Sequence, residues 1–173
     1  RPARRRVEER FSLERMADET LAVYEDCLTR PRVVIWKLSA LGDVVLATPS
    51  LSAIRRHFRH SPITLVVGRP VYEAVARCPY VDQVLVVDAR RKDRTPAGML
   101  RLARRLQRIG FDCSIDLQNS RLTHVMAWLA GIPTRVGYNR RWGWLLTQAV
   151  PLPPTAMNPI AHQHHLLSAA GVA

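Results

Sequence analysis

Val33-Val34-Ile35-Trp36-Lys37-Leu38-Ser39-Ala40-Leu41-Gly42-Asp43-Val44-Val45-Leu46-Ala47-Thr48-Pro49 is the stretch that decides the architecture. It opens with a short apolar run rich in β-branched residues, the pattern of a strand buried on both faces. A small-residue turn follows, Ser39 to Gly42. Asp43 then starts a segment in which Val44, Leu46, Ala47, Leu51, Ile54 and Phe58 recur at roughly helical spacing. Strand, tight turn and helix in that order make the first β–α unit of a doubly wound sheet. Ligands of such sheets sit in the crevice at the carboxyl ends of the strands. The turn places the carboxylate of Asp43 at the mouth of that crevice.

The rest of the chain repeats the unit. Ile63 to Val67 reads as a second buried strand, and Gly68-Arg69-Pro70 turns into a short helix ending near Cys78-Pro79. Val84 to Val87 is a third strand with Asp88 at its end, followed by a basic loop, Arg90 to Arg94. Pro96 opens a helix whose apolar stripe is Met99, Leu102, Ala103, Leu106 and Ile109, and Gly110 closes it. Arg101, Arg104, Arg105 and Arg108 lie on its outer side, most simply as a solvated charged face, and one that also suits an anionic membrane surface. Cys113 to Leu117 and Thr134 to Gly137 are the fourth and fifth strands, with a helix between them opened by Gln118-Asn119-Ser120 and running through Trp128-Leu129-Ala130. Pro151 to Pro154 is extended, and Asn158-Pro159 starts a last helix. Alternating strands and helices predict an α/β, Rossmann-like parallel sheet with helices on both faces and right-handed crossovers.

Residues 1–30 read as a separate unit. Ser12 is a candidate N-cap, and Leu13, Met16, Ala17, Thr20, Leu21, Tyr24 and Leu28 share one helical face. The opposite face is mostly acidic, so this amphipathic helix calls for a protein partner rather than a bilayer.

Composition narrows the function classes. An apolar fraction of 47% and a charged fraction of 23% are values of a folded domain, not of a disordered chain. The net charge of +12 is carried almost wholly by arginine, since Lys37 and Lys92 are the only lysines. Such a chain favours anions: nucleic acid, lipid surfaces or phosphorylated sugars. Cys27, Cys78 and Cys113 are odd in number and widely spaced, which argues against a disulfide framework or zinc site and fits a reducing cytoplasm. His162, His164 and His165 match no metal-ligand spacing. The chain starts with Arg1 and stops after one α/β domain, so it is expected to be a piece of a longer protein.

Two readings of Asp43 stand side by side. It is a favoured N-cap residue whose charge suits a helix start. It is also placed to act as a base toward a substrate above the strands. Gly42 alone makes no dinucleotide fingerprint, because G-x-G-x-x-G is absent.

The wording of the first unit resembles the opening of the family 9 glycosyltransferases, the heptosyltransferases of lipopolysaccharide core assembly. Those enzymes begin with an apolar strand, Lys or Arg, a loop S-x-x-G-D and a helix carrying T-x-P. Here the positions are Lys37, Ser39, Gly42, Asp43, Thr48 and Pro49. Ile63 to Val67, Pro79 to Val84, Phe111 to Gln118 and Arg135 to Tyr138 are also similar, in order. The likeness runs from about Arg32 onward and covers the N-terminal, acceptor-side domain of a two-domain GT-B fold. Ala3 to Met16, with Leu21 and Tyr24, resembles the closing helices of the family 4 glycosyltransferases. On that reading residues 1–30 are the helical tail of a preceding module, and 31–173 are a GT-B N-terminal domain whose C-terminal donor domain is missing.

The resemblance implies an inverting sugar transfer from a nucleotide-sugar, ADP-heptose or a relative, to a lipid-linked lipopolysaccharide core acceptor. It implies Asp43 as the catalytic base, with no metal and no cofactor beyond the donor. Ser39 and Gly42 are then candidates to present N–H groups to the donor phosphates. Gln118 is a candidate hydrogen-bonding partner of substrate, although Asn119 stands next to it where the family often has Gly. Arg69, Arg140 and Arg141 lie on loops at the same sheet end and suit acidic or phosphorylated core sugars. The expected location is cytoplasmic, peripheral to the inner face of the inner membrane. The alternative is a basic nucleic-acid-binding module with a Rossmann-like fold. Against it, the basic residues are scattered and no helix-turn-helix, zinc-finger or RNA-binding signature occurs. A Rossmann oxidoreductase is disfavoured by the missing glycine fingerprint.

Overall fold

Val33, Val34, Ile35 and Trp36 form β1, and all four are buried. Their side chains alternate between two cores. Val33 and Ile35 enter a cluster with Leu51, Ile54, Leu166 and Leu167, whereas Val34 and Trp36 join Leu102, Leu106, Met126 and Ala127. A strand apolar on both faces is therefore the centre of a three-layer structure. Each fully buried aliphatic side chain contributes roughly 1.5–3 kcal/mol. Trp36 also needs a polar partner, and its indole Nε1 donates to Ser114 Oγ at 2.9 Å.

The computed structural model describes residues 16–17, 20–21, 30–88, 93 and 95–172. The chain divides into two compact units, Arg1–Arg30 and Pro31–Ala173. In the first, Met16, Ala17, Thr20 and Leu21 are helical. The rest of the helix expected over 12–28 lies outside the described residues, as do Arg90, Arg91, Lys92 and Arg94 of the expected basic loop.

In the second unit β1 is followed by α1 (Leu41–Val45), α2 (Thr48–His57), β2 (Ile63–Gly68), a 3-10 turn (Arg69–Val71) and α3 (Tyr72–Val75). Next come β3 (Gln83–Val87), α4 (Pro96–Ile109), β4 (Cys113–Asp116), α5 (Arg121–Leu129) and β5 (Thr134–Tyr138). A 3-10 turn (Gly143–Leu145), β6 (Gln148–Val150) and α6 (Pro159–Ala169) follow among the described residues. The six strands lie in the order β3-β2-β1-β4-β5-β6, and every pair is parallel. Val33 is in register with Ile63 on one side and Cys113 on the other. The order reverses between β1 and β4, so the crevice of the doubly wound fold opens there.

The five strands expected from the sequence are all present, and α4 and α6 start where expected. Thr95 caps α4 by accepting from Gly98 N at 3.1 Å, and Gly110 closes it with φ +71°. Two expectations are corrected. The single helix expected from Asp43 to Phe58 is two helices, because Pro49 in the first turn of α2 has no N–H to continue α1. β6 is a sixth strand that periodicity did not reveal. Gln148-Ala149-Val150 is too short and too little apolar to stand out, and its pairing with β5 makes it a strand.

Gly68, at the end of β2, shows how tightly β1 and β2 meet. Its N–H donates to Leu38 O at 2.9 Å, and a Cβ built there would lie 2.5 Å from the same carbonyl oxygen. Backbone cannot step aside as a flexible side chain does. Gly68→Ala is therefore expected to cost about 1–3 kcal/mol, read as a fall of several degrees in melting temperature. An unchanged melting temperature would show that the two strand ends part freely.

Candidate functional site at the carboxyl edge of the sheet

The site is built from the residue after each strand. Lys37 follows β1 directly and is only 7% exposed. Its Nζ donates to Leu117 O at 3.4 Å and stands 4.0 Å from Asp43 Oδ2. Burial pushes the ammonium below the ordinary lysine range, against the opposing pull of the Asp43 and Asp116 charges. Asp43 itself lies in the first turn of α1, whose cap position is Ala40, with no side-chain cap hydrogen bond. The capping reading of Asp43 is thus removed. Its carboxylate, half exposed, faces solvent on one side and Lys37 on the other.

Asp116 ends β4 and is buried. Its Oδ1 accepts from Gln118 N at 2.9 Å and Asn119 N at 2.7 Å, and its Oδ2 accepts from Thr123 Oγ1 at 2.5 Å. His124 Nε2 lies 3.2 Å from the same Oδ2, without the direction of a hydrogen bond. This carboxylate holds the β4–α5 turn in shape. Within the turn Asn119 has φ +53°, a left-handed conformation that Asn tolerates better than other side chains and that suits Gly. Ser120 then caps α5 in a reciprocal pair with Thr123.

Gln118 is placed at the carboxyl end of β4 as expected, but its Oε1 is engaged within the protein. It accepts from Leu38 N at 2.9 Å and Ser39 N at 3.2 Å. Its role in the described structure is to pin the β1–α1 loop across the switch point. The N–H of Ser39 is accordingly taken up by Gln118. Gly42 presents open space, since a Cβ there would meet nothing within 4 Å.

A cleft of about 920 Å³ runs along the strand ends. Ser39, Arg69 and Gln118 line it, together with Gly68, Asp88 and Ser120. Three of the candidates read from the sequence are therefore gathered in one cleft. Gly42, Asp43, Arg140 and Arg141 do not line it. Arg140 and Arg141 are exposed on the turn after β5, on the other side of the switch point from Arg69. The Arg140 charge, with that of Lys37, reaches His162 on α6, whose imidazole is held below its ordinary value chiefly by burial. Tyr138 fixes this part of α6. Its hydroxyl donates to His162 O, and its ring packs 4.2 Å from that of His162.

Sequence reasoning did not place Lys37 or Asp116 among the site residues. The signals were there: a lysine in an arginine-rich chain, and a carboxylate inside an apolar run, each directly after or at the end of a central strand. Among the described residues no group of three or more His, Cys, Asp or Glu is arranged to hold a metal ion. No described helix is long and apolar enough to cross a membrane.

No family model matches the chain, and no curated protein sequence does. Solved structures do. The glycosyl transferase family 9 protein from Veillonella parvula superposes with a TM-score of 0.74 at 27% identity, over 83% of this chain and 42% of that one. The fold is that of the family 9 glycosyltransferases. E. coli heptosyltransferase WaaC with ADP-2-deoxy-2-fluoro heptose has a TM-score of 0.68 at 19% identity, covering 81% of this chain and 48% of its own. E. coli ADP-heptose lps heptosyltransferase II has a TM-score of 0.59 at 17% identity, over 76% and 40%. This chain spans less than half the length of each of these family 9 and heptosyltransferase structures. The likeness lends no support to the nucleic-acid alternative.

Proposed function

We propose that this chain is the acceptor-side part of an inverting heptosyltransferase. It serves transfer of heptose, or a related sugar, from a nucleotide-sugar to a lipopolysaccharide core acceptor at the cytoplasmic face of the inner membrane. The observation that carries this reading is Asp43 beside the buried Lys37, at the switch point of a family 9 fold. An acceptor hydroxyl attacks the anomeric carbon, the bond from that carbon to the diphosphate breaks, and the hydroxyl proton passes to the Asp43 carboxylate. Its contribution comes from placement, and Lys37 supplies the cation that orients it. Arg69 offers the cleft a forked donor for acidic groups, and Arg140 and Arg141 offer two more across the switch point. The open approach at Gly42 suits a diphosphate against backbone.

On this reading residues 31–173 form one half of a two-domain enzyme, and residues 1–30 belong to a preceding module. WaaC was solved with ADP and with an ADP-heptose analogue, which supports a nucleotide-sugar as donor. The test is an assay of ADP-heptose with a lipopolysaccharide core acceptor, followed by mass. An enzyme carrying this chain with the family's remaining length is expected to add one heptose, and residues 1–173 alone none. No transfer by the longer enzyme would overturn the reading, and so would turnover by residues 1–173 alone.

A further inference from the structure

Three of the four tryptophans are on the surface. Trp36 is buried, but Trp128 is 50% exposed, Trp142 46% and Trp144 76%. All three belong to α5 or to the Gly143–Leu145 turn and the residue before it, and the turn packs against α5. α4 packs on the other side of α5, where Gln107 Nε2 donates to Leu129 O at 2.9 Å. The three elements thus form one continuous outer layer on one face of the sheet. Isolated exposed apolar residues are ordinary, but three indoles concentrated on packed neighbours are not.

The charge of this layer has one sign. No Asp or Glu occurs between Asp93 and Asp112, and none follows Asp116. α4 exposes Arg101, Arg104, Arg105 and Arg108 along its outer side. Arg121 begins α5, and Arg140 and Arg141 lead directly into Trp142; all are exposed. Indole rings prefer the headgroup level of a bilayer, where the apolar body and the N–H are both satisfied. Arginines beside them meet the negative surface potential of anionic lipids. A second copy of this chain would bring like charge against like.

We propose that the layer formed by α4, α5 and the Gly143–Leu145 turn docks on an anionic phospholipid bilayer through its exposed tryptophans and arginines. The proposal deepens the lipid-linked-acceptor reading and rests on it for the identity of the surface. Docking through this face would keep the chain on the bilayer that also carries a lipid-linked acceptor. Vesicle binding is measured without sugar transfer, so the two ideas fail separately.

The experiment is co-sedimentation of the full 173-residue chain with vesicles of phosphatidylcholine alone, and with about one-third phosphatidylglycerol. The chain is expected to sediment with the anionic vesicles only, to release in about 1 M salt, and to shift its tryptophan emission to shorter wavelength. Trp128→Ser combined with Trp144→Ser is expected to weaken binding at least tenfold at an unchanged melting temperature. Should that variant misfold, Arg105→Glu with Arg108→Glu, on the exposed side of α4, is expected to do the same. The proposal is overturned if anionic vesicles do not bind the chain or if the folded variants bind as well as wild type. It is overturned equally if the variants abolish self-association or nucleic-acid retention while leaving vesicle binding intact.

Discussion

Asp43→Asn, made in an enzyme that carries this chain with the rest of its family's length, is expected to lower turnover by about 10² to 10⁴, the usual share of general-base catalysis. Asn fills the same volume but cannot take up the acceptor's proton. Stability should hardly move, because Asp43 makes no cap hydrogen bond and is half exposed. What is lost is a charge in the first turn of a short helix, roughly 0.3–1 kcal/mol at a surface site, and a 4.0 Å contact with Lys37. Donor affinity should stay near wild type. Melting temperature, donor binding and initial rate on one preparation decide the matter. Turnover within about threefold of wild type would show that the base lies elsewhere.

Lys37→Met should cost at least about tenfold in turnover while leaving the melting temperature unchanged or raised. Burial outweighs the attraction of Asp43 and Asp116, so the fold holds the Lys37 proton less tightly than the unfolded chain does. The sign follows from linkage. Below the lowered pKa the buried cation costs stability, and that cost fades as the pH rises from the folded value to the unfolded one. Met has a similar length and no charge, so it removes the cost at neutral pH. Catalysis moves the other way. Two unit charges 4 Å apart interact by about 4 kcal/mol at an effective dielectric of 20, and solvent around the half-exposed Asp43 reduces this. A tenfold rate loss corresponds to about 1.4 kcal/mol. The pH profile separates orientation from packing: wild-type kcat/KM should fall on the alkaline side as Lys37 loses its proton. Lys37→Arg, charged at every accessible pH, should abolish that limb. A large fall in melting temperature for Lys37→Met, with the alkaline limb of wild type untouched by Lys37→Arg, would make Lys37 a structural residue only.

Much of this was legible in the chain itself. The β-branched run Val33 to Trp36 could only be a strand covered on both faces, and the later runs at Ile63, Val84, Cys113 and Thr134 repeated it. Gly110 and Asn158 marked helix ends because local backbone chemistry confines such residues to few roles. The S-x-x-G-D wording pointed to family 9, and the solved structures agree. Periodicity failed where an element depends on a neighbour. β6 exists because β5 offers it hydrogen bonds, and the break between α1 and α2 because Pro49 cannot donate one.

The site divided along the same line. The sequence by itself determined that Ser39, Asp43, Arg69 and Gln118 would stand at one edge of a parallel sheet, since each follows a strand that runs in the same direction. Only the tertiary structure decided what their atoms do there. It turned Gln118 back onto Leu38 and Ser39 across 80 and 79 residues, set Asp43 inside the turn instead of at its cap, and buried Lys37 between Asp43 and Asp116. Those pairings join residues far apart in the chain, and their energies come from desolvation and charge in three dimensions. Order along a sequence carries direction and spacing, and it carries no record of which charge will be shut away from water beside which.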